Sequence, residues 1–279
     1  MAELPLTVEN IITDKNKFKL NLSLIYRNLE QQGVQASDYV SVKTGSNSFV
    51  NINVNDVNVP SKVGQTQTNS DILIASLGVR YGLNDFETYL RANYLKVNRR
   101  ITDLSGTSSN SYSKLLDTWM GINYQFSDDT DTMALFGSIE TAVYEKYTTD
   151  SARFKSHQIG LTAYRAIDPI VLSLTGGYRF NQTRKNNKLD YKPGNFFFIS
   201  PSVDFAVNDT ITLTTGFQWL NMQPSKEDNI TQDMRSTSTD LILGMAYGQT
   251  ENGIINTTLN TNISGRGGAD LRVDWLYSF

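Results

Sequence analysis

The sequence predicts an all-β fold: a transmembrane antiparallel up-and-down β-barrel of about twelve strands, with a short N-terminal helical segment. Three observations predict it. Alternating segments recur with apolar faces too aromatic for a solvated sheet, short and long connections alternate, and the composition excludes membrane helices. The clearest segment is the last. From Ala269 to Phe279, Leu271, Val273, Trp275, Tyr277 and Phe279 share one face, and Asp270, Arg272, Asp274 and Ser278 share the other. Side chains alternate across a pleat, so this pattern is a strand with lipid on one side and water on the other.

Composition narrows the alternatives. Hydrophobic residues make up 39% of the 279 and the mean hydropathy is -0.34. No stretch approaches the ~18 uninterrupted apolar residues that a membrane helix needs. A barrel strand is only half apolar, so a polar average is compatible with crossing a bilayer. The 14 Tyr and 13 Phe suit interfacial girdles. The absence of Cys removes disulfide and thiolate chemistry, and a net charge of -3 gives no support for nucleic acid as a partner. No basic and apolar run precedes Glu3, so an exported form would have lost its signal peptide and Met1 would not be its natural start.

The strands follow in order. Phe18, Leu20, Leu22, Leu24 and Tyr26 share the outer face of the first, and Leu73, Ala75, Leu77, Val79 and Tyr81 that of the second. The tight turn Leu83 to Phe86 leads to a third strand, from 86 to about 98. After a Ser/Thr/Gly loop, Leu116, Thr118, Met120, Ile122, Tyr124 and Phe126 point outward from the fourth. Strands five and six cover about 133 to 147 and 154 to 166. Ile170, Leu172, Leu174, Tyr178 and Phe180 face out from the seventh, and Phe197, Ile199, Val203 and Phe205 from the eighth. The last four lie near 211 to 222, 237 to 248, 254 to 264 and 269 to 279, with Gly265 to Gly268 as a compact turn. Connections near 84, 128, 168, 208 and 250 are short; those near 30 to 69, 100 to 113, 185 to 194 and 224 to 236 are long and polar. That asymmetry matches periplasmic turns and extracellular loops. Within 30 to 69, Val40 to Lys43 and Phe49 to Val54 alternate as well. They either form an extracellular hairpin or extend strands one and two above the membrane, with a fourteen-strand barrel as the alternative count.

The opposite phase faces the lumen. It carries Lys17, Lys19, Arg27, Arg80, Glu87, Arg91, Asp117, Glu140, Arg179, Asp204, Asp240, Asp270, Arg272 and Asp274. The mixed signs imply weak ion selectivity or a cross-linked interior, since a selective pore shows a ring of one sign. Arg80 and Glu87 flank the same turn and are placed to pair. Gly78, Gly121, Gly177, Gly216 and Gly244 are inward too, either easing curvature or leaving room inside. Trp119, Tyr89 and Phe198 would fill the lumen. Ahead of the barrel (17–279), residues 1–16 form a leader or plug. Thr7 suits an N-cap with Glu9 in the first turn, and Val8, Ile11 and Ile12 recur at helical spacing.

Catalytic and metal chemistry finds little purchase. The single histidine, His157, is followed two residues later by Ile159, where the Ser/His/Asn pattern of outer-membrane phospholipase needs a serine. Gly265 to Gly268 lacks the Gly-Lys-Ser/Thr of a phosphate loop. Asp128, Asp129 and Asp131 read as a solvated acidic turn rather than a calcium site. The expectation is no enzyme, no cofactor and no metal.

The ending, with Trp275, Tyr277 and Phe279, resembles the C-terminal strand of bacterial outer-membrane barrels, which implies recognition by the barrel-assembly machinery. The strand number and the leader Pro5 to Ile12 resemble two groups of twelve-strand transport barrels: the functional-amyloid (Fap) secretion channels and the meta-pathway phenol-degradation group. In the Fap family a coiled-coil region precedes the barrel and a helical segment plugs a trimeric channel. The resemblance implies an integral outer-membrane channel moving a small solute or a secreted polypeptide, gated by its N-terminal segment. Its partners would be membrane lipid and, in a homo-trimer, neighbouring copies around the Pro201 strand. The alternative is a closed structural or adhesive barrel that acts through its long loops.

Overall fold

The computed structural model describes residues 12–32, 39–44, 49–53, 67–103, 106–127, 133–146, 150–186, 188–250, 252–264 and 268–279. Twelve long strands occur among them: β1 (Phe18–Gln32), β2 (Gln67–Leu83), β3 (Phe86–Asp103), β4 (Gly106–Ser127), β5 (Ala134–Lys146), β6 (Ser156–Ile167), β7 (Ile170–Asn181), β8 (Phe196–Asn208), β9 (Ile211–Met222), β10 (Ser236–Thr250), β11 (Gly253–Asn262) and β12 (Ala269–Ser278). Each pairs antiparallel with the next. β12 then pairs with β1, from Lys19 opposite Ser278 to Asn28 opposite Ala269, so the sheet closes and leaves no edge.

The apolar phase covers the outside. Along β2 the outward positions run from Leu73 to Leu83, ten steps of ~3.3 Å that at a tilt near 40° span roughly 25 Å, the height of a bilayer-facing band. Leu77, Leu90, Ile122, Ile139, Leu174 and Phe217 are all exposed on this surface. Aromatic rings cluster at the short-turn rim: Phe18 with Tyr81 (4.7 Å between centroids), Phe86 with Tyr124 (4.6 Å), Tyr124 with Phe126 (4.8 Å) and Tyr277 with Phe279 (4.9 Å). A backbone bond from Phe279 N to Phe18 O (2.9 Å) carries this girdle across the closing seam. The second rim has Tyr178 with Phe180 and Phe197 with Trp219. Rings at both water boundaries, flanking an aliphatic band, are the signature of a membrane-spanning barrel.

Local chemistry fixes the short turns. Asn84, at φ 60°, takes the left-handed conformation that Asn tolerates, and joins β2 to β3 in two residues. Asn208 Oδ1 accepts from Thr210 N (2.9 Å) and Ile211 N (2.8 Å), closing the β8–β9 connection. By the usual asymmetry of such barrels, this rim is periplasmic.

Three expectations need correction, and one, the N-terminal helix, falls mainly outside the described residues. No helix occurs among the described residues. Thr7, Val8, Glu9 and Ile11 lie outside them, and Ile12 sits in a bend. From there the backbone bonds the wall instead of itself, with Asn16 N donating to Gly82 O (2.9 Å). First, 100 to 113 is not a loop, because β3 and β4 stay paired up to Asp103 opposite Gly106. Its hydroxyls and amides are satisfied across the strands, as in Thr102 with Thr107 (3.2 Å) and Ser111 with Asn98 (2.7 Å). Second, Leu116 does not face lipid. A register shift opposite Asn93 and Tyr94 inserts one residue, so Leu115 points out and Leu116 packs inside. Third, β1 and β2 do extend, pairing to Gln32 opposite Gln67, but the Tyr39–Lys43 and Phe49–Asn53 hairpin is not displayed outside. It folds into the barrel, where Val42 and Phe49 are buried.

The turn residues Asp128, Asp129 and Asp131, and Gly265 to Gly267, lie outside the described residues. The connections after β7 and β9 join each other in a small four-stranded sheet, with Tyr191 opposite Glu227.

Candidate functional site

The inward phase builds an interior in three levels. At the periplasmic mouth Glu87 is fully buried. Its carboxylate accepts from Thr13 N (2.8 Å), from the Thr13 hydroxyl, from Asn123 Nδ2 (2.7 Å) and, at the limit of contact, from Arg80 (3.5 Å). Lys19 Nζ donates to Ile12 O (3.0 Å). Gly82 makes room: a Cβ there would stand 2.1 Å from Asp14 O and 2.3 Å from Thr13 O. The chain before β1 is therefore held against β2 and β3, and Ile12 reaches the inward cluster of Ala134, Phe136, Tyr164 and Val171. Lys17 is at the exposed rim, paired with Asp14 (3.1 Å), and does not line the lumen.

The opposite half of the lumen is packed by the inward hairpin. Val42 joins Ile25, Leu29, Ile72, Ile74, Leu95, Val97 and Leu116 in one apolar cluster, and Phe49 joins Phe196, Phe198 and Leu220 in another. Phe49 meets Phe196 edge-on at 5.6 Å and Phe198 at 4.6 Å. Two wall arginines grip the hairpin backbone. Arg179 Nη1 donates to Phe49 O (2.6 Å), and Arg272 Nη1 donates to Lys43 O (3.3 Å).

Most of the charges on the inward phase pair with one another. Arg91 meets Glu140 (3.3 Å), Arg27 meets Asp270 (3.2 Å) and Arg272 meets Asp274 (2.7 Å). Arg179 and Arg184 share Glu145 at 3.0 and 2.8 Å, and Arg179 stacks over the buried Trp119 ring at 4.5 Å. Asp117 accepts from Asn93, Asp204 from the Thr214 hydroxyl, and Asp240 from Asn262. Two of the inward glycines seat aromatic rings. A Cβ at Gly121 would stand 2.5 Å from the Tyr89 ring, and one at Gly177 would stand 2.6 Å from the Phe198 ring.

Between the two inserted segments lies a chamber of about 270 Å³, bordered mostly by polar residues together with Ile12, Phe136 and Ile242. Ile12 and Lys43 both border it, with Arg80, Arg272, Asp204 and Asp274 in its wall. Hydroxyls of β6 to β8 form a ladder around it, with Thr162 to Thr175 at 3.1 Å and Ser173 to Ser202 at 2.6 Å. Burial, then the neighbouring Arg272, pulls the Lys43 ammonium down to about 8.

Alternation alone placed Lys19, Arg27, Arg80, Glu87, Arg91, Asp117, Glu140, Arg179, Asp204, Asp240, Asp270, Arg272 and Asp274 on the inward phase. It missed Thr13, Lys43, Phe49 and Glu145. The only sequence signal for Lys43 and Phe49 was the weak alternation of their hairpin. Val8 and Ile11 lie outside the described residues, whereas Ile12 is inside the lumen. Trp275, Tyr277 and Phe279 sit on the lipid-facing girdle. His157 faces outward near the second rim, within bonding distance of Thr141 Oγ1 (2.9 Å) and Gln182 Nε2 (3.2 Å). No group of three His, Cys, Asp or Glu residues able to hold a metal occurs among the described residues.

A closed twelve-strand sheet with an aliphatic band, two aromatic girdles and a charged interior defines an integral β-barrel of the bacterial outer membrane. The sequence matches no protein-family model and no curated protein. In fold the chain is similar to an outer membrane channel from Pseudomonas putida F1, at 12% identity and a TM-score of 0.56, covering 93% of this chain and 95% of that one. It is also similar to the translocator domain of the autotransporter NalP from Neisseria meningitidis, at 10% identity and a TM-score of 0.53, covering 98% and 92%. At these identities the likeness is one of fold.

Proposed function

We propose that this barrel is a non-enzymatic outer-membrane channel for small solutes, closed from both ends by its own chain. The observation that carries the reading is the chamber between Ile12 and Lys43. Side chains of the wall do not fill that level. The segments bounding it, residues 12–17 and the paired hairpin strands Tyr39–Lys43 and Phe49–Asn53, are not part of the barrel wall, so they can leave without breaking the closed sheet. A cross-linked interior of pairs such as Arg91 and Glu140 keeps the wall rigid while those segments move. The 12% identical channel from Pseudomonas putida F1 lends the reading a precedent in fold. The likeness to Fap-type and phenol-degradation barrels rests on strand number, leader and ending, and a secreted polypeptide as cargo belongs to that reading. A homo-trimer, lipid on the outer band and the barrel-assembly machinery as folding partner complete the proposal.

Single-channel conductance in planar bilayers tests it. The full chain should open rarely, and deletion of residues 1–15 should give larger or longer openings. Silence from both, with folding verified by heat-modifiable gel mobility, would overturn the channel. It would favour a structural or adhesive barrel, a reading that the apolar packing around Val42 and Phe49 also suits.

A further inference from the structure

The chamber has spare recognition capacity of a particular kind. Lys43 reaches it from the hairpin, and among the described residues its ammonium makes no ion pair. The other two cations in its wall are engaged, Arg272 with Asp274 and Arg80 with Glu87. On β11, the alternate residues Asn256, Thr258 and Asn260 also face it. Their side chains make no hydrogen bond to other described residues, unlike the paired hydroxyls of β6 to β8. Successive inward positions on a strand lie ~6.6 Å apart, so the three form a ladder of groups that each donate and accept. Arg272 ties the two features together. It stands directly across the sheet from Thr258, and its guanidinium holds the Lys43 carbonyl at 3.3 Å. One cation beside three bifunctional polar groups matches a molecule bearing one carboxylate and several hydroxyls. At ~30 Å³ per water the chamber equals about nine waters of liquid volume, the scale of a single sugar.

We propose that the chamber is a binding site for small polyhydroxy acids such as hexuronates, with Lys43 taking the carboxylate and Asn256, Thr258 and Asn260 taking the hydroxyls. The charge selects an acid over a neutral sugar. The ladder selects a polyol over a simple carboxylate, which would leave those amides and the hydroxyl without new partners. This deepens the channel reading and rests on it, because the solute must reach the chamber through one of the two closed ends.

The test is equilibrium binding to the full chain in detergent micelles, measured calorimetrically with glucuronate, glucose and acetate, beside conductance in bilayers with glucuronate added. Glucuronate should bind at least tenfold more tightly than either glucose or acetate. Lys43→Gln should remove the preference over glucose, and Asn256→Ala with Asn260→Ala should remove the preference over acetate. All variants are checked for heat-modifiable mobility, and Leu174→Ala on the lipid face serves as a control expected to bind normally. Equal binding of the three probes, unchanged selectivity in the Lys43 variant, or no binding by a folded and conducting protein would overturn the site. Selective binding by a protein that never conducts would leave the site standing and sink the channel instead.

Discussion

Replacing Glu87 by Gln should release the segment that crosses the periplasmic mouth. Both carboxylate oxygens act as acceptors: Oε2 for Thr13 N and its hydroxyl, and Oε1 for Asn123 Nδ2 and Arg80. An amide of the same shape keeps one acceptor and turns the other position into a donor facing donors. The site is fully buried, so water cannot relieve the mismatch. Losing charge-assisted bonds and leaving a donor unsatisfied costs about 2–4 kcal/mol. At 1.4 kcal/mol per tenfold, the ratio of undocked to docked segment rises roughly 30- to 700-fold. Labelling an Ile12→Cys variant with a membrane-impermeant maleimide reads that ratio, and single-channel open time reads its consequence. The introduced thiol should label faster in the Glu87→Gln background, and openings should lengthen. Equal labelling rates in the two backgrounds would refute the role assigned to Glu87 and the docking energetics built on it.

Other perturbations probe the remaining parts. Gly82→Ala puts a methyl 2.1 Å from Asp14 O and should undock the same segment without altering any charge, read by the same labelling. Phe49→Ala removes ring contacts with Phe196 and Phe198, a loss of about 3–5 kcal/mol for a buried Phe, and should expose the hairpin to limited proteolysis while the barrel stays resistant. Leu174→Arg on the lipid face should destabilise the barrel by about 2–4 kcal/mol in denaturant titrations in lipid, whereas Asn260→Asp on the lumen face should cost far less. Burial, with Arg272 beside it, pulls the Lys43 ammonium from its usual range down to about 8, so it is charged at pH 7 and loses its charge as pH rises above that value. Arg80, Arg272, Asp204 and Asp274 share its chamber; as the Lys43 ammonium loses its proton, glucuronate affinity should fall as pH rises through 8, and a flat profile would remove Lys43 from the carboxylate site.

The sequence by itself determined the wall. Lipid on one side and water on the other impose a period of two, and that period appears within each strand, from Leu73 to Tyr81 as clearly as from Leu271 to Phe279. Alternation also assigned phase to residues such as Glu87 and Arg179, because the pleat leaves each side chain only two directions. It failed at Leu116, where one inserted residue inverts the phase and a bulge leaves no composition signal. It failed again at 100 to 113, where Ser and Thr read as loop although their hydroxyls pair across β3 and β4.

Only the tertiary structure decided what the wall encloses. Arg179 meets the Phe49 carbonyl across 130 residues of sequence, and Glu87 meets Thr13 across 74. No local period encodes such contacts, because they depend on which residues the closed sheet brings to the same height. The inward turn of the hairpin, the docking of residues 12–17 and the chamber left between them follow from closure of the sheet around an interior that the wall residues alone do not fill.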